Sequence, residues 1–438
     1  AVGYMVVALQ KSRSRSAAFT GPQASAPRKL LICEEALKGH TGHWYEYNRA
    51  VCEMNRADGH HVSLLAHRDV QSSLVNELGA EPFFEHTNWD QIYNYPQAWR
   101  RYLGVLRHNR RVYREIDKYL RQSDGFDCVF APTVVIHHLI GWLFLARKHG
   151  GRKAKRIVLF IRNSATTYEN GSSEPVFKRS MQLLAWVLRQ YQPLIDRGVV
   201  QLATDSHRLA EEYKRLAGVE LVVFPHPCGT WPLDRPRGPS RRSDRIVMAS
   251  LGPARLEKGI EVLVRAIELL ARRPAVPRLH FVIQWNQPVV SPDGNLLELD
   301  EDLLHGTPVS CDLIARSLDG HEYNSLLLDS DVLLLPYLRQ AYFARISGVA
   351  VEAMLAGIPM IYTDDTWVAD IAHQYGTGLG FENEDAVQLA NAICDVAAGI
   401  EQFDVDARRR MSAAKSHFSA QNFQRSLWEN ESRCNVER

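Results

Sequence analysis

The sequence predicts an α/β fold: two doubly wound domains in tandem. Three observations predict it. Short apolar runs rich in Val, Ile, Leu and Phe alternate with stretches of helical period along the chain. The runs lack polar alternation, as strands covered on both faces of a parallel sheet do. A stretch with five prolines and no apolar period, residues 225–244, divides the runs into two sets.

In the first set the runs are Lys29–Cys33, His61–Ala66, Asp127–Ala131, Arg156–Ile161, Val199–Ala203 and Leu221–Pro225. In the second they are Arg245–Leu251, Arg278–Ile283, Asp331–Pro336 and Pro359–Thr363. Helical spacing of apolar residues covers Trp44–Ala57, Ser206–Leu216, Gly259–Ala271 and Gly348–Ala356. Strand followed by helix, repeated, is the pattern of a doubly wound sheet. The expected organisation is a lead over 1–27, a first domain over 28–228, a linker over 229–244 and a second domain over 245–415. A C-terminal helix over 416–438 completes it. Its apolar stripe of Phe418, Phe423, Leu427 and Trp428 fits either the second domain or a return to the first.

Composition bounds the function. The 438 residues suffice for two large domains, and a net charge of +2 excludes a nucleic-acid binder that works by bulk positive charge. Seven scattered cysteines, an odd number, argue against a disulfide framework or a zinc ribbon. They suit a reducing compartment, so a cytoplasmic setting is expected. No run of eighteen apolar residues exists to span a membrane. Trp99–Arg121 carries eight Arg and Lys against two acids, with Trp99, Leu103, Leu106, Tyr113, Ile116 and Leu120 at helical spacing. This pattern fits an ordinary surface helix, or a basic amphipathic helix lying peripherally on the anionic inner face of a membrane.

Chemistry concentrates in two loops of the second half. In LGPARLEKG, Leu251–Gly259, a buried strand ends, Gly252 permits a tight turn and a helix starts near Gly259. Arg255 and Lys258 therefore stand at a strand's carboxyl end beside a helix N-terminus, where open α/β sheets bind ligands. Two cations and free helix N–H groups suit a diphosphate. In YFARISGVAVEAMLAGIP, Tyr342–Pro359, Ser347 and Gly348 open a second helix, and Glu352 lies one turn inside it. Small residues there let phosphate oxygens approach, and Glu352 can take both hydroxyls of a ribose.

Four blocks in order carry a resemblance: LGPARLEKG, HEYNSLLLDSDVLLLPY, SGVAVEAMLAGIPMIYTDDTWVAD and GTGLGF. From about Arg245 to Phe381 the chain resembles family 4 of the retaining glycosyltransferases, which have the GT-B fold of two Rossmann-like domains facing across a cleft. The first half is similar more loosely, through EEALKGHTGHWYEYNRAVCEMNRADGHHVSLLAH and LATDSHRLAEEYKRLAG. The resemblance implies sugar transfer from a nucleotide-sugar donor, a substrate rather than a cofactor, to a saccharide or lipid-linked acceptor. It implies donor contacts from Arg255, Lys258, Gly259, Arg345, Ser347, Gly348, Val349 and Glu352. Lys258 matches the family's lysine; Pro253 replaces the usual arginine, and Arg255 stands in for it. The family's first glutamate falls at Ala344, so Arg345 or the Ser347–Val349 turn takes its place. The family often places a histidine near the reacting sugar. Gly42, His43, His137, His138 and Arg162 are the acceptor-side candidates, and His43, flanked by glycines, is the first choice as a catalytic residue beside Arg255 and Lys258.

Asp329–Ser330–Asp331 has the spacing of a metal-binding pair, but Asp331 opens the apolar run VLLLP, and both aspartates read as flanking groups. No essential metal is expected. Other classes kept open are an inverting enzyme or sugar-nucleotide epimerase of the same fold, and a non-catalytic nucleotide- or glycan-binding protein. A dinucleotide oxidoreductase is disfavoured, because GHTGH lacks the G-x-G-x-x-G spacing.

Overall fold

The structure, a computed structural model, describes residues 26–40, 43–89, 97–169, 171–228 and 245–428. Gly42, most of the lead and the whole 229–244 linker lie outside the described residues, as does the His43 side chain.

The first domain runs β1 (Lys29–Cys33), α1 (His43–Ala57), β2 (His61–His67), α2 (Ser72–Leu78), β3 (Ala80–Phe84), α3 (Ala98–Gln122), β4 (Phe126–Val134), α4 (Leu139–His149) and β5 (Ala154–Ile161). It continues through a small hairpin, β6 (Thr167–Tyr168) and β7 (Pro175–Val176), to α5 (Met181–Arg189), α6 (Gln192–Asp196), β8 (Val200–Thr204), α7 (His207–Ala217) and β9 (Val222–Val223). Seven strands form one parallel sheet in the order β3-β2-β1-β4-β5-β8-β9.

The second domain runs β10 (Ile246–Ser250), α8 (Ile260–Ala271), β11 (Leu279–Gln284), β12 (Val309–Ile314), α9 (Gly320–Asp329), β13 (Val332–Leu335), α10 (Arg339–Tyr342) and α11 (Gly348–Ala356). Then follow β14 (Met360–Thr363), α12 (Trp367–Tyr375), β15 (Gly378–Phe381), α13 (Ala386–Ala398), α14 (Ile400–His417) and α15 (Ala420–Trp428). Its six-stranded parallel sheet has the order β12-β11-β10-β13-β14-β15. The strand order reverses at β1/β4 and at β10/β13, which opens a crevice at the carboxyl ends of each sheet.

Helices cover both faces of each sheet, which is why the central strands read as unbroken apolar runs. In the first domain α3, α4 and α5 share one core with Leu31, Val129 and Leu159, while α1 packs on the other face with Leu30, Phe130 and Phe160. The second choice for the C-terminal stripe is the one realised. Phe423, Leu427 and Trp428 of α15 enter the first domain's core beside α1, and Trp428 Nε1 donates to Asn55 Oδ1 at 2.8 Å. Burying three such side chains contributes about 2–3 kcal/mol each.

The domains also meet at a polar seam. Arg208, in the first turn of α7, donates to both oxygens of Asp370 (2.6 and 2.8 Å) and to Asp365 Oδ1 (3.0 Å). Arg339 reaches back to the Glu169 carbonyl at 3.3 Å while pairing with Asp365. Between the two guanidiniums lies Phe343, 4.3 Å from the Tyr168 ring.

Candidate functional site

The loop after β10 is shaped by two glycines. Gly252 has φ 83°, a region open mainly to glycine, and a Cβ there would lie 2.4 Å from Lys258 Nζ. The lysine head is therefore folded over the glycine. Gly259 has φ 71°, and a Cβ there would fall 1.6 Å from the Pro336 carbonyl oxygen. The loop after β10 thus curls directly against the chain leaving β13.

One expectation is corrected here. A 3-10 turn spans Leu256–Lys258, so the Lys258 N–H donates to Arg255 O (3.0 Å) and the Gly259 N–H to Leu256 O (2.8 Å). Both donors are closed within the turn and serve no anion. Gly259 acts sterically, and Lys258 acts through its side chain.

A second helix N-terminus, that of α11, lies beside this loop. Ser347 caps it, its Oγ accepting the Ala350 N–H at 3.2 Å and lying 3.2 Å from the Tyr337 hydroxyl. A Cβ added at Gly348 would meet nothing within 4 Å, so the helix opens onto empty space. The first N–H groups of the helix have no intrahelical acceptor and form a positive end. Val349 Cγ2 lies 4.0 Å from the Cβ position of Gly252, which sets this end beside the Lys258 loop.

Charge confirms the grouping. Burial pulls Lys258 down to about 8, and the neighbouring Arg255 and Arg345 push the same way. Arg345 lies over the Tyr342 ring at 5.1 Å, and exposed Arg255 stands 3.6 Å from Glu257. Glu352, one turn into α11, is pushed up to about 7 by burial. The Tyr323 hydroxyl donates to it and, with Lys258, opposes that shift. Glu46, in the first turn of α1, pushes it higher. Sequence reasoning gave no role to Tyr323 and Glu46, although both fall in quoted blocks, since each lies on a helix and not in a strand-end loop. A pocket of about 600 Å³ opens between the end of β12 and the first turns of α9. Leu313, Ile314, Leu318 and Leu326 give it a largely apolar lining, edged by Arg316 and Glu322.

Ala344, where the resemblance puts a glutamate, is 3% exposed and belongs with Phe343 to the first domain's core. The position is part of the interdomain seam, where a carboxylate would be buried among apolar groups.

The acceptor-side residues divide. Arg162 is engaged: it donates to the Pro132 carbonyl and Asp205 (3.0 Å each) and lies over the rings of Tyr47 and Phe160. Through Nε and Nη1 it braces the strand ends. Beside it Glu34, at the end of β1, is pushed up to about 7 by burial, although the Thr133 hydroxyl and Ala36 N–H donate to it. His138 is 2% exposed and stacks on His108 at 3.7 Å, so it faces the interior and not an acceptor. His137 is half-buried, and burial lowers its pKa.

Glu35, His108 and His138 form the one group among the described residues with the spacing of a metal site. Glu35 Oε2, His108 Nε2 and both ring nitrogens of His138 are buried and make no hydrogen bond of good geometry. Arg111 lies 3.1 Å from His108 Nδ1, and a guanidinium only donates, so the His108 proton sits on Nε2, which is 3.0 Å from Glu35. The two imidazole planes are 17° from parallel, so their lone pairs run side by side instead of converging. Asp331 accepts the Val247 N–H at 2.9 Å, as a group that flanks a strand.

Two doubly wound domains whose sheet ends face each other, with cations gathered at one of them, define the GT-B class. Residues 245–398 match the family described as "Glycosyl transferases group 1", a segment that holds every residue from Arg255 to Glu352 discussed above. No curated protein sequence matches the chain. Among solved structures it is similar to sucrose-phosphate synthase from Thermosynechococcus elongatus, at 15% identity over 94% of this chain and 100% of that one, with a TM-score of 0.55. It is similar to Anabaena HepE in complex with UDP, at 16% identity over 92% and 99%, TM-score 0.56. The N-terminal domain of Candida albicans trehalose-6-phosphate phosphatase gives 12% identity over 93% and 97%, TM-score 0.65. At such identities the likeness establishes the fold.

Proposed function

We propose that the chain transfers a sugar from a nucleotide-diphosphate donor to a saccharide or lipid-linked acceptor, with retention at the anomeric carbon and without a metal ion. One observation carries this reading: Lys258, Arg255 and Arg345 meet the open N-terminus of α11 and the Glu352 carboxyl in one crevice. As the bond from the sugar to the diphosphate breaks, charge builds on the leaving phosphate. Fixed cations and a helix N-terminus already stand where that charge appears, and such donors are worth about 3 kcal/mol each in a transition state. Glu352, held by Tyr323, takes the ribose hydroxyls, and the apolar pocket beside β12 takes the base. The acceptor oxygen bonds to the anomeric carbon on the face the diphosphate leaves, and its proton passes to the departing phosphate. His137 lines the acceptor side.

HepE of Anabaena was solved with UDP, and an Escherichia coli trehalose-6-phosphate protein with UDP-2-fluoro glucose, which makes uridine diphosphate the first nucleotide to test. A thermal-shift screen of UDP-, GDP-, dTDP- and ADP-sugars identifies the donor, because a ligand of the folded state raises the melting temperature. Turnover with acceptor mixtures follows, wild type against Lys258→Ala. Product formation lost in the variant supports the reading; product formation equal in both sinks it.

A second reading, nucleotide or glycan binding without transfer, is favoured by the buried alanine at 344. It predicts a donor-induced thermal shift with no turnover. The anomeric configuration of the product separates a retaining enzyme from an inverting one, and unchanged acceptor with an altered donor sugar marks an epimerase.

A further inference from the structure

The apolar residues at the start of α3 do not face the core. The buried residues of this helix include His108, Asn109, Val112, Ile116, Asp117 and Leu120. Trp99, Tyr102, Leu103 and Leu106, toward the start of the helix, are 41–67% exposed. The outward strip continues through Tyr113 to Phe144 of α4, whose ring is 6.4 Å from it and 54% exposed. On α5, Leu183 and Trp186 are exposed in the same way. The three helices lie side by side on one face of the first sheet, as their shared core shows.

Charge on this face is one-sided. Residues 97–114 hold six arginines, 135–149 one arginine and one lysine, and 175–195 two arginines and one lysine. None of the three segments contains an acid, in a chain whose net charge is only +2. Beyond residue 114, α3 also carries Glu115 and Asp117, and Asp117 takes Lys148 as a partner at 2.8 Å, so the cationic excess lies at the start of the helix. Exposed indole, phenol and leucyl groups among such an excess of cations match the interface of an anionic bilayer, where aromatic rings sit at headgroup depth and each cation adds about 1 kcal/mol of attraction. A soluble partner protein would need acids to answer this cationic excess, and a second copy of residues 97–114 has none to offer.

We propose that the outward face of α3, α4 and α5 docks the protein on an anionic lipid surface. α4 begins just after the carboxyl end of β4, and α3 and α5 pack beside it on the same face of the sheet, so this face borders the crevice. Docked this way, the crevice opens beside the headgroups. On the transfer reading, a lipid-linked acceptor reaches it without leaving the bilayer; the docking itself stands or falls independently of that reading.

The test is co-sedimentation of the purified full chain with vesicles of phosphatidylcholine, with and without phosphatidylglycerol. The expected result is binding to the anionic vesicles that weakens as salt rises. Trp99→Ser with Leu106→Ser, and separately Arg100→Glu with Arg107→Glu, should each cut the partition about tenfold or more. Val290→Ser with Leu296→Ser, which removes exposed apolar groups from the second domain, should leave it unchanged. Thermal unfolding of all variants confirms folding, since every substituted side chain is at the surface. Equal sedimentation with neutral and anionic vesicles overturns the proposal. So does a dimer by light scattering that the Trp99→Ser, Leu106→Ser pair converts to monomer while anionic vesicles remain unbound.

Discussion

Donor binding should be coupled to protons in two opposite senses. A lysine ordinarily titrates at 10.5, and burial with two neighbouring arginines brings Lys258 to about 8. The empty site therefore disfavours this cation by about 3 kcal/mol. A diphosphate supplies the missing counter-charge and raises the pKa again in the complex. Affinity is then full below about pH 8 and falls up to tenfold per pH unit above it, until the pKa of the complex is reached. Glu352 works the other way. Burial lifts it to about 7, and two ribose hydroxyls donating to the carboxylate lower it in the complex. Its contribution is full above about pH 7 and is lost as pH falls through that value. Affinity should peak between the two midpoints. Isothermal titration calorimetry of the tightest-binding nucleotide-sugar, whose diphosphate has no ionisation of its own near neutrality, in two buffers of different ionisation enthalpy, reads the protons directly. Uptake is expected on the alkaline side and release on the acid side. Lys258→Ala should abolish the uptake and keep the release, and Glu352→Gln the reverse. Zero uptake above the Lys258 midpoint, or uptake that survives Lys258→Ala, refutes the reasoning.

Three further outcomes are expected. Lys258→Ala and Arg345→Ala should each lower kcat by about 100- to 1,000-fold in steady-state assays while leaving the thermal midpoint nearly unchanged. Tyr323→Phe removes the hydroxyl that favours the charged Glu352, so the acid limb of donor binding should move to higher pH in the same calorimetry. Gly259→Ala puts a side chain at φ 71° and against the Pro336 carbonyl, and should cost about 3 kcal/mol or more in a denaturant melt.

The central strands of both sheets are legible in the sequence because helices cover their two faces, leaving apolar runs such as Leu30–Ile32 and Val332–Leu335. The strands that escape notice are edges. β3 (AEPFF) and β12 (VSCDLI) end the two sheets and bury only some of their side chains, so their sequences mix polar and apolar residues and carry no run. β15 (GLGF) is a third edge, half glycine, and reads as a loop.

The site divides along the same line. Arg255, Lys258, Ser347 and Gly348 follow from local logic, since strand ends and helix starts concentrate anion-binding groups. Tyr323 and Glu46 acquire their relation to Glu352 only when α9 and α1 are brought to α11 in space, and no local pattern signals that. The position of Ala344 is legible as a departure, but its reason is tertiary: the segment from Tyr342 to Arg345 is shared between the site and the Phe343–Tyr168 contact of the two domains. His138 shows the opposite failure. Its place after a strand is right for a ligand group, while its stacking on His108 turns it inward.

A crystal structure of the chain soaked with its tightest nucleoside diphosphate addresses the account most directly. The two phosphates should lie within hydrogen-bond distance of Lys258 Nζ and of the Gly348 and Val349 N–H groups, with the ribose hydroxyls on Glu352. A diphosphate bound elsewhere, with Lys258 still folded over Gly252 and untouched, would contradict it.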